Sequence, residues 1–467
     1  MKLVDMNRMN TKENFFIKDR SFYKTLAILI LTVAGQNLIA YSVNMLDNIM
    51  LGSYSQAALS GAATVNQIFF MVQQTALSIG SALVTVASQY WGKKEMDPIR
   101  RITWIAMKFN LLAAAIALIL CAAVPMQLLS LFTTSSEIIQ QGAEYLKILK
   151  WSFVFFMISN LFISMLRSVE IVRIALVTSI VSLIVNGGIN YTLIFGKFGF
   201  PEMGIRGAAL GTLIARAVEL GIVLVYVAKI EHRVRFFEIF KKSGSERAGN
   251  KEFRQTFTKV CTPILVSSMI WAISVPMQTA ILGHLSDDAI AANSVATTFF
   301  QYLKVIVVAM ASASAVMIGK SIGEGEKAKV RAAGRTLSVI DVGIGVVLAI
   351  ILYLLRNPLL SFYQLTDTAG VLAEHFMMIM SFVMVAMSYQ MPVSVGVLQG
   401  SGDANFCMRL NMISIWGIVM PLSFLSAFVW KLPVELVVLA VQSDQFFKGI
   451  PIFFRFRSYR WIHELTK

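Results

Sequence analysis

The chain has 467 residues, of which 57% are hydrophobic and only 14% charged. A soluble domain carries about 25% charged residues, so this composition excludes a water-soluble protein. The formal net charge of +15 does not point to nucleic acid as a partner, because the basic residues lie between apolar runs and build no basic face or nucleic-acid module.

In chain order, residues 1–20 are polar and charged, and the apolar stretch that follows is too long for a cleavable signal core. The first span is therefore expected to stay in the mature protein. A bilayer core of about 30 Å needs roughly 20 apolar helical residues. Runs of that kind predict spans over 24–51, 57–90, 99–124, 138–166, 171–196 and 204–229, then 256–282, 288–318, 329–355, 370–398, 405–430 and 434–454. The expected fold is an all-α polytopic membrane protein. Lys and Arg gather at both ends of the chain and in the even-numbered connections, whereas the odd-numbered ones hold only Lys197, Arg206, Arg356 and Lys431. Because basic residues mark cytoplasmic loops, both termini are expected in the cytoplasm, with the chain in a plasma (bacterial inner) membrane. The longest connection, Glu231 to Arg254, is basic and turn-rich, and reads as a cytoplasmic linker. The expected organisation is a first lobe over 1–229, a linker over 230–255 and a second lobe over 256–467.

An internal repeat is the strongest feature. Shifting the chain by about 231 residues places Gly52 on Gly283, Ser55 on Ser286, Ala58 on Ala289, Phe69 on Phe300, Gly92 on Gly323 and Glu95 on Glu326 without a gap. Each repeat holds six spans, an even number, so the lobes share one orientation and are expected to be related by a pseudo-two-fold axis along the membrane normal. Such repeats usually flank a central substrate path. Asp47 lies near the outward end of the first span, a position that suits either a buried carboxylate or an interfacial helix-end residue.

Several segments carry a family resemblance: Asp47-Asn-Ile-Met-Leu-Gly52, Ser88-Gln-Tyr-Trp-Gly92, Asn186-Gly-Gly-Ile-Asn190, Gly204-Ile-Arg-Gly-Ala-Ala-Leu-Gly-Thr212, Leu398-Gln-Gly-Ser-Gly-Asp403 and Arg457-Ser-Tyr-Arg-Trp461. In order, spacing and duplication the chain resembles the multidrug and toxic compound extrusion (MATE) family of exporters, with its DinF-like branch as the expected subgroup. The resemblance implies two six-helix lobes around a V-shaped cavity. It also implies antiport by alternating access, in which organic, often cationic, amphipathic compounds leave against inward sodium or proton flow. In related exporters the coupling cation is bound by residues that fall here on Asp47, Asn186, Asn190 and Thr212. A carboxylate with amide and hydroxyl oxygens suits a hard cation such as sodium, and a desolvated carboxylate can equally be neutralised by a proton. Asn186 and Asn190 also share one helix face, where hydrogen bonding between helices is the plainer role.

The departures from the family pattern are informative. One branch carries a coupling glutamate in the seventh span, but 256–282 contains no acid, so coupling in the second lobe is not expected. The repeat places Gln278 where the first lobe has Asp47. Several relatives bend the first span at a proline, and that position is Thr32 here. Arg216 with Glu219, and Asp444 with Lys448, have helical spacing and are expected to pair locally, a lobe-to-lobe gating role being the alternative. Asp341 faces an unknown partner, and Asp287-Asp288 is expected to cap the eighth helix and complement its dipole. Met and Phe suit an adaptable cavity and also ordinary lipid-facing positions.

His232, His284, His375 and His463 stand isolated, and Cys121, Cys261 and Cys407 lack metal-ligand spacing. Neither an enzyme nor a bound cofactor is therefore expected, and the cysteines read as small buried apolar residues. A channel lacks a filter-like segment. The rival function is a lipid-linked oligosaccharide flippase of similar paired lobes, against which twelve spans and an acid at the first-span site argue. The expected partners are small organic substrates and the lipid bilayer, around a monomer.

Overall fold

The computed structural model describes residues 15–241, 251–363 and 365–466. Twelve of its helices are long and apolar enough to cross a membrane: α1 (Arg20–Tyr54), α2 (Gln56–Gly92), α3 (Met96–Ala123), α4 (Ser136–Ser168), α5 (Arg173–Ile194), α6 (Ile205–Ile230), α7 (Lys251–Gly283), α8 (Asp288–Gly323), α9 (Lys327–Leu360), α10 (Asp367–Leu398), α11 (Ala404–Val429) and α12 (Val434–Arg457). The described residues contain no strand. Every expected span is present, and most run past the apolar run that announced them.

Short polar side chains set the boundaries. Ser55 ends α1 in an extended conformation and caps α2 by accepting the Ala58 N–H. Its repeat counterpart Ser286 does the same for α8, accepting the Ala289 N–H. Each cap satisfies one of the orphan donors at a helix start, an interaction worth about 1 kcal/mol. The expected cap role of Asp287-Asp288 is thus corrected: Ser286 occupies that position, and Asp288 accepts instead from the Thr366 hydroxyl at 2.8 Å. The side chain of Asp287 lies outside the described residues. α1 runs unbroken from Arg20 to Tyr54, in keeping with Thr32 where a proline would bend it, whereas Pro263 and Pro276 both lie inside α7.

The stretch expected as a linker is helical over part of its length. Glu231 accepts the backbone N–H groups of Val234 and Arg235 at 2.8 Å each, turning the chain back. Phe236 and Ile239 of the short helix Phe236–Lys241 then insert among buried residues of α2, α3 and α4. Lys251 to Arg254 already belong to α7, and 242–250 lie outside the described residues.

The cores show how the two lobes meet. At the end of the bundle that carries both described chain ends, here called the basic end, the first half of α1 (Phe22, Leu26, Leu29, Val33) packs among α8, α9 and α10. The first half of α7 (Phe257, Val260, Cys261, Ile264) reciprocally packs among α2, α3 and α4. At the far end each lobe keeps its own core, one built from Leu51, Val65, Phe69, Phe153 and Ala208, the other from Ile281, Phe300, Leu352, Phe376 and Val437. The lobes are therefore knitted together at the basic end and separate toward the far end.

The axis between them is marked by its own residues. A Cβ added to Gly92 would stand 2.9 Å from the Gly323 Cα, and one added to Gly323 would stand 3.0 Å from the Gly92 Cα. Gly319 likewise abuts Ser88, its repeat counterpart. Residues that touch their own equivalents lie on a two-fold axis, so α2 and α8 cross there. Lys320 with Glu170 at 2.8 Å and Lys93 with Glu464 at 3.0 Å close the basic end around that crossing.

Candidate functional site

Three helices of the first lobe bring four polar side chains together. Asp47 projects from α1, Asn186 and Asn190 from one face of α5, and Thr212 from α6. The Asn190 Nδ2 donates to Asp47 Oδ1 at 2.5 Å and to Asn186 Oδ1 at 3.3 Å, and the Asn186 Nδ2 donates to Thr212 Oγ1 at 3.4 Å. Asn186 and Asn190 are almost completely buried, Thr212 is buried, and Asp47 is half-buried. All four residues singled out by resemblance therefore form one network.

Close packing makes the gathering possible. Gly207 and Gly211, four apart on α6, let that helix lie directly on α5. A Cβ at Gly207 would stand 2.7 Å from the Leu193 carbonyl, and a Cβ at Gly211 would fall on Asn190 Oδ1. That oxygen is buried with no hydrogen-bond partner among the described residues. An uncompensated buried amide oxygen costs about 1–3 kcal/mol, so its retention beside a carboxylate is a cost that a bound cation would offset. Gly211 and Tyr145, a buried α4 residue beside Thr212, are members that the sequence reading missed. The spacing Gly207-Ala-Ala-Leu-Gly211 was a signal for the first, while Tyr145 had none.

The other candidates fall elsewhere. Arg216 Nη1 pairs with Glu219 Oε2 at 2.6 Å within α6, and its guanidinium lies 5.1 Å from the Phe156 ring centre. Lys448 pairs with Asp444 at 2.7 Å within α12, and Asp444 also accepts from Ser414 at 2.8 Å. Both pairs are thus contained in single helices. Asp341 is 1% exposed in α9, with Oδ2 unpartnered among the described residues. Gln278, where the repeat places the counterpart of Asp47, has no hydrogen-bond partner among the described residues.

On the opposite side of α1 the two lobes touch through aromatic residues. Tyr41 meets Tyr302 of α8 with ring centres 6.3 Å apart, the Tyr302 hydroxyl lies 3.3 Å from Met45 Sδ, and Phe70 of α2 meets Trp271 of α7 at 6.0 Å. The four aromatic residues lie about 18–21 Å below the far ends of their helices, counting 1.5 Å per residue. They floor the gap between the far-end halves. Asp47 is two residues beyond Met45, about 200° around the helix, so α1 separates the polar network from this floor.

The family model described as MatE matches residues 33–192 and again 263–425, once in each lobe. A probable multidrug resistance protein NorM from Thermotoga maritima is 26% identical over 443 residues, covering 94% of this chain and 93% of that protein. A probable multidrug resistance protein YoeA from Bacillus subtilis is 21% identical, covering 89% of each. Among solved structures, the Vibrio cholerae MATE transporter VcmN in its bent form superimposes with a TM-score of 0.82 at 18% identity, over 94% of this chain and 97% of that one.

Proposed function

The chain belongs to the MatE family of membrane transporters, and on that premise we propose that it exports amphipathic organic compounds by alternating access, driven by inward flow of sodium ions or protons. The observation that carries this reading is the contact between Asp47 and Asn190, with Asn186 and Thr212 in the same network. Asp47 supplies the charge, and the two amide oxygens and the threonine hydroxyl supply the neutral oxygens that a hard cation takes. A proton would neutralise the same carboxylate.

In this reading the basic end is cytoplasmic, and the gap above the aromatic floor faces outward, in a bacterial inner membrane. Coupling resides in the first lobe, 1–229. The second lobe, 256–467, reached through 230–255, shares the substrate surface. A cation moves the balance between outward- and inward-open states only by binding them unequally. α1 is suited to carry that difference, because one of its faces holds Asp47 and the opposite face holds Tyr41 and Met45 at the lobe interface. A shift of α1 against α5 and α6 on cation binding therefore alters the floor beneath the substrate.

The test is flux of a fluorescent dye in proteoliposomes under a sodium gradient and, separately, a proton gradient, with wild type and Asp47→Asn. Asparagine nearly keeps the volume but not the charge. The variant is expected to fold and bind dye yet lose gradient-driven flux, with mutual displacement of cation and dye weakened about 5- to 150-fold, the span of typical coupling energies. Undiminished gradient-driven flux in Asp47→Asn would remove this aspartate from the coupling site.

A further inference from the structure

Lys304 is the residue that the transport reading leaves unexplained. It lies in the middle of α8, about 24 Å from the helix start and about 28 Å from its end. A lysine stem reaches only a few ångströms, so the ammonium cannot snorkel to either membrane surface. A charge at that depth costs several kcal/mol unless it is paired or lines a polar cavity. Among the described residues no carboxylate pairs with it. Its Nζ lies instead over the Trp271 ring of α7, in the same lobe, 5.3 Å from the ring centre. A cation–π contact offsets part of the cost and leaves the donors of the ammonium free.

The surroundings of this cation are aromatic. Trp271 continues to Phe70, while Tyr302, half a turn before Lys304, continues to Tyr41 and Met45. Ammonium and aromatic floor therefore occupy one layer between the lobes. About two turns deeper, Arg167 of α4 reaches across to Ser312 of α8 at 3.0 Å, and it too has no carboxylate partner among the described residues. The one acid of the first-lobe network, Asp47, is on the far face of α1 and is engaged by Asn190. The interface between the lobes thus presents positive charge with aromatic walls.

Resting on the exporter reading, we propose that the central site takes amphipathic organic anions, with the carboxylate, sulfonate or phosphate of the ligand on Lys304 and its apolar body against Trp271 and Phe70. This reverses the cationic preference that the family resemblance implies. Lys304 fixes the sign of the substrate charge, and Asp47 remains reserved for the coupling ion.

Fluorescein and rhodamine 6G share a xanthene ring and differ in charge, so anisotropy titrations of both into the purified protein in lipid nanodiscs test the proposal. Wild type is expected to bind fluorescein at least about tenfold more tightly than rhodamine 6G. Lys304→Gln should lose about tenfold in fluorescein affinity, the effect of one charge-assisted contact, with rhodamine 6G unweakened and Lys304→Arg retaining fluorescein. Equal or tighter binding of rhodamine 6G by wild type, or unchanged fluorescein binding in Lys304→Gln, overturns the proposal. Should Lys304→Gln fail to fold, displacement from wild type decides: toluenesulfonate is expected to displace bound dye, and displacement by benzyltrimethylammonium alone overturns it. Transport separates the two readings. Gradient-driven flux of rhodamine 6G without fluorescein keeps the exporter and sinks the anion site, whereas Lys304-dependent fluorescein binding with no driven flux of either dye keeps the site and sinks the exporter.

Discussion

At the scale of single residues, Gly211 is the most exposed to test, because it shapes the polar network without contributing a polar side chain to it. Gly211→Ala places a methyl group where Asn190 Oδ1 now stands. The amide must rotate or α6 must move off α5, and either displaces the donor that holds Asp47. The expected outcome is a protein of near-normal expression whose sodium or proton dependence of transport weakens about tenfold, in line with overpacking costs of 1–3 kcal/mol. Wild-type ion dependence in Gly211→Ala would show that the Asn190 position is unimportant. Gln278→Ala, at the repeat-equivalent position, should leave ion dependence unchanged when the same assay is applied. Asp47 stood out by its place in the first span, but its grouping with Asn186, Asn190 and Thr212 was legible only through resemblance, since spacing along one chain cannot say that Asp47 on α1 meets Asn190 on α5. Lys304 stood plainly in an apolar run, but its pairing with the Trp271 ring in place of a carboxylate is a property of the packed helices and had no local signature.

At the scale of elements, the spans themselves were legible, because a bilayer imposes one length and one polarity on each. Ser55 and Ser286 were legible as a repeated pair, and their cap geometry explains why the repeat is strongest there. The short helix Phe236–Lys241 was obscured by its basic neighbours, although Phe236-Phe237 and Ile239 carry the apolar signal that buries it. The crossing of α2 and α8 gives the element-scale prediction. Gly323→Leu puts a branched side chain against Gly92 and the Gln89 carbonyl, where the two backbones allow none. The closed basic end should lose stability relative to any state in which these helices part. Spin labels at Lys94→Cys and Glu324→Cys are expected to report a longer distance population in Gly323→Leu than in the parent. An unchanged distance distribution would mean that the crossing does not govern closure.

At the scale of the whole molecule, orientation follows from the basic residues and can be checked with two exposed positions at opposite ends of the bundle. Cysteines replacing Lys241 and His284 in a cysteine-free background should react differently with an impermeant thiol reagent on intact cells, the second labelled and the first protected. Labelling of 241 alone would invert the membrane orientation and turn the far-end gap toward the cytoplasm. The two-lobe plan was legible from the repeat, but the repeat did not reveal that the lobes exchange half-helices. Phe22 to Val33 complete the second lobe, and Phe257 to Ile264 complete the first. Each lobe alone is therefore missing a wall, and a chain cut between Lys241 and Lys251 turns an intramolecular closure into a two-body association in the plane of the membrane. Two co-expressed fragments should assemble with a yield that rises with the abundance of both, while either fragment by itself offers its unfilled apolar slot to lipid, to aggregation or to a second copy of itself.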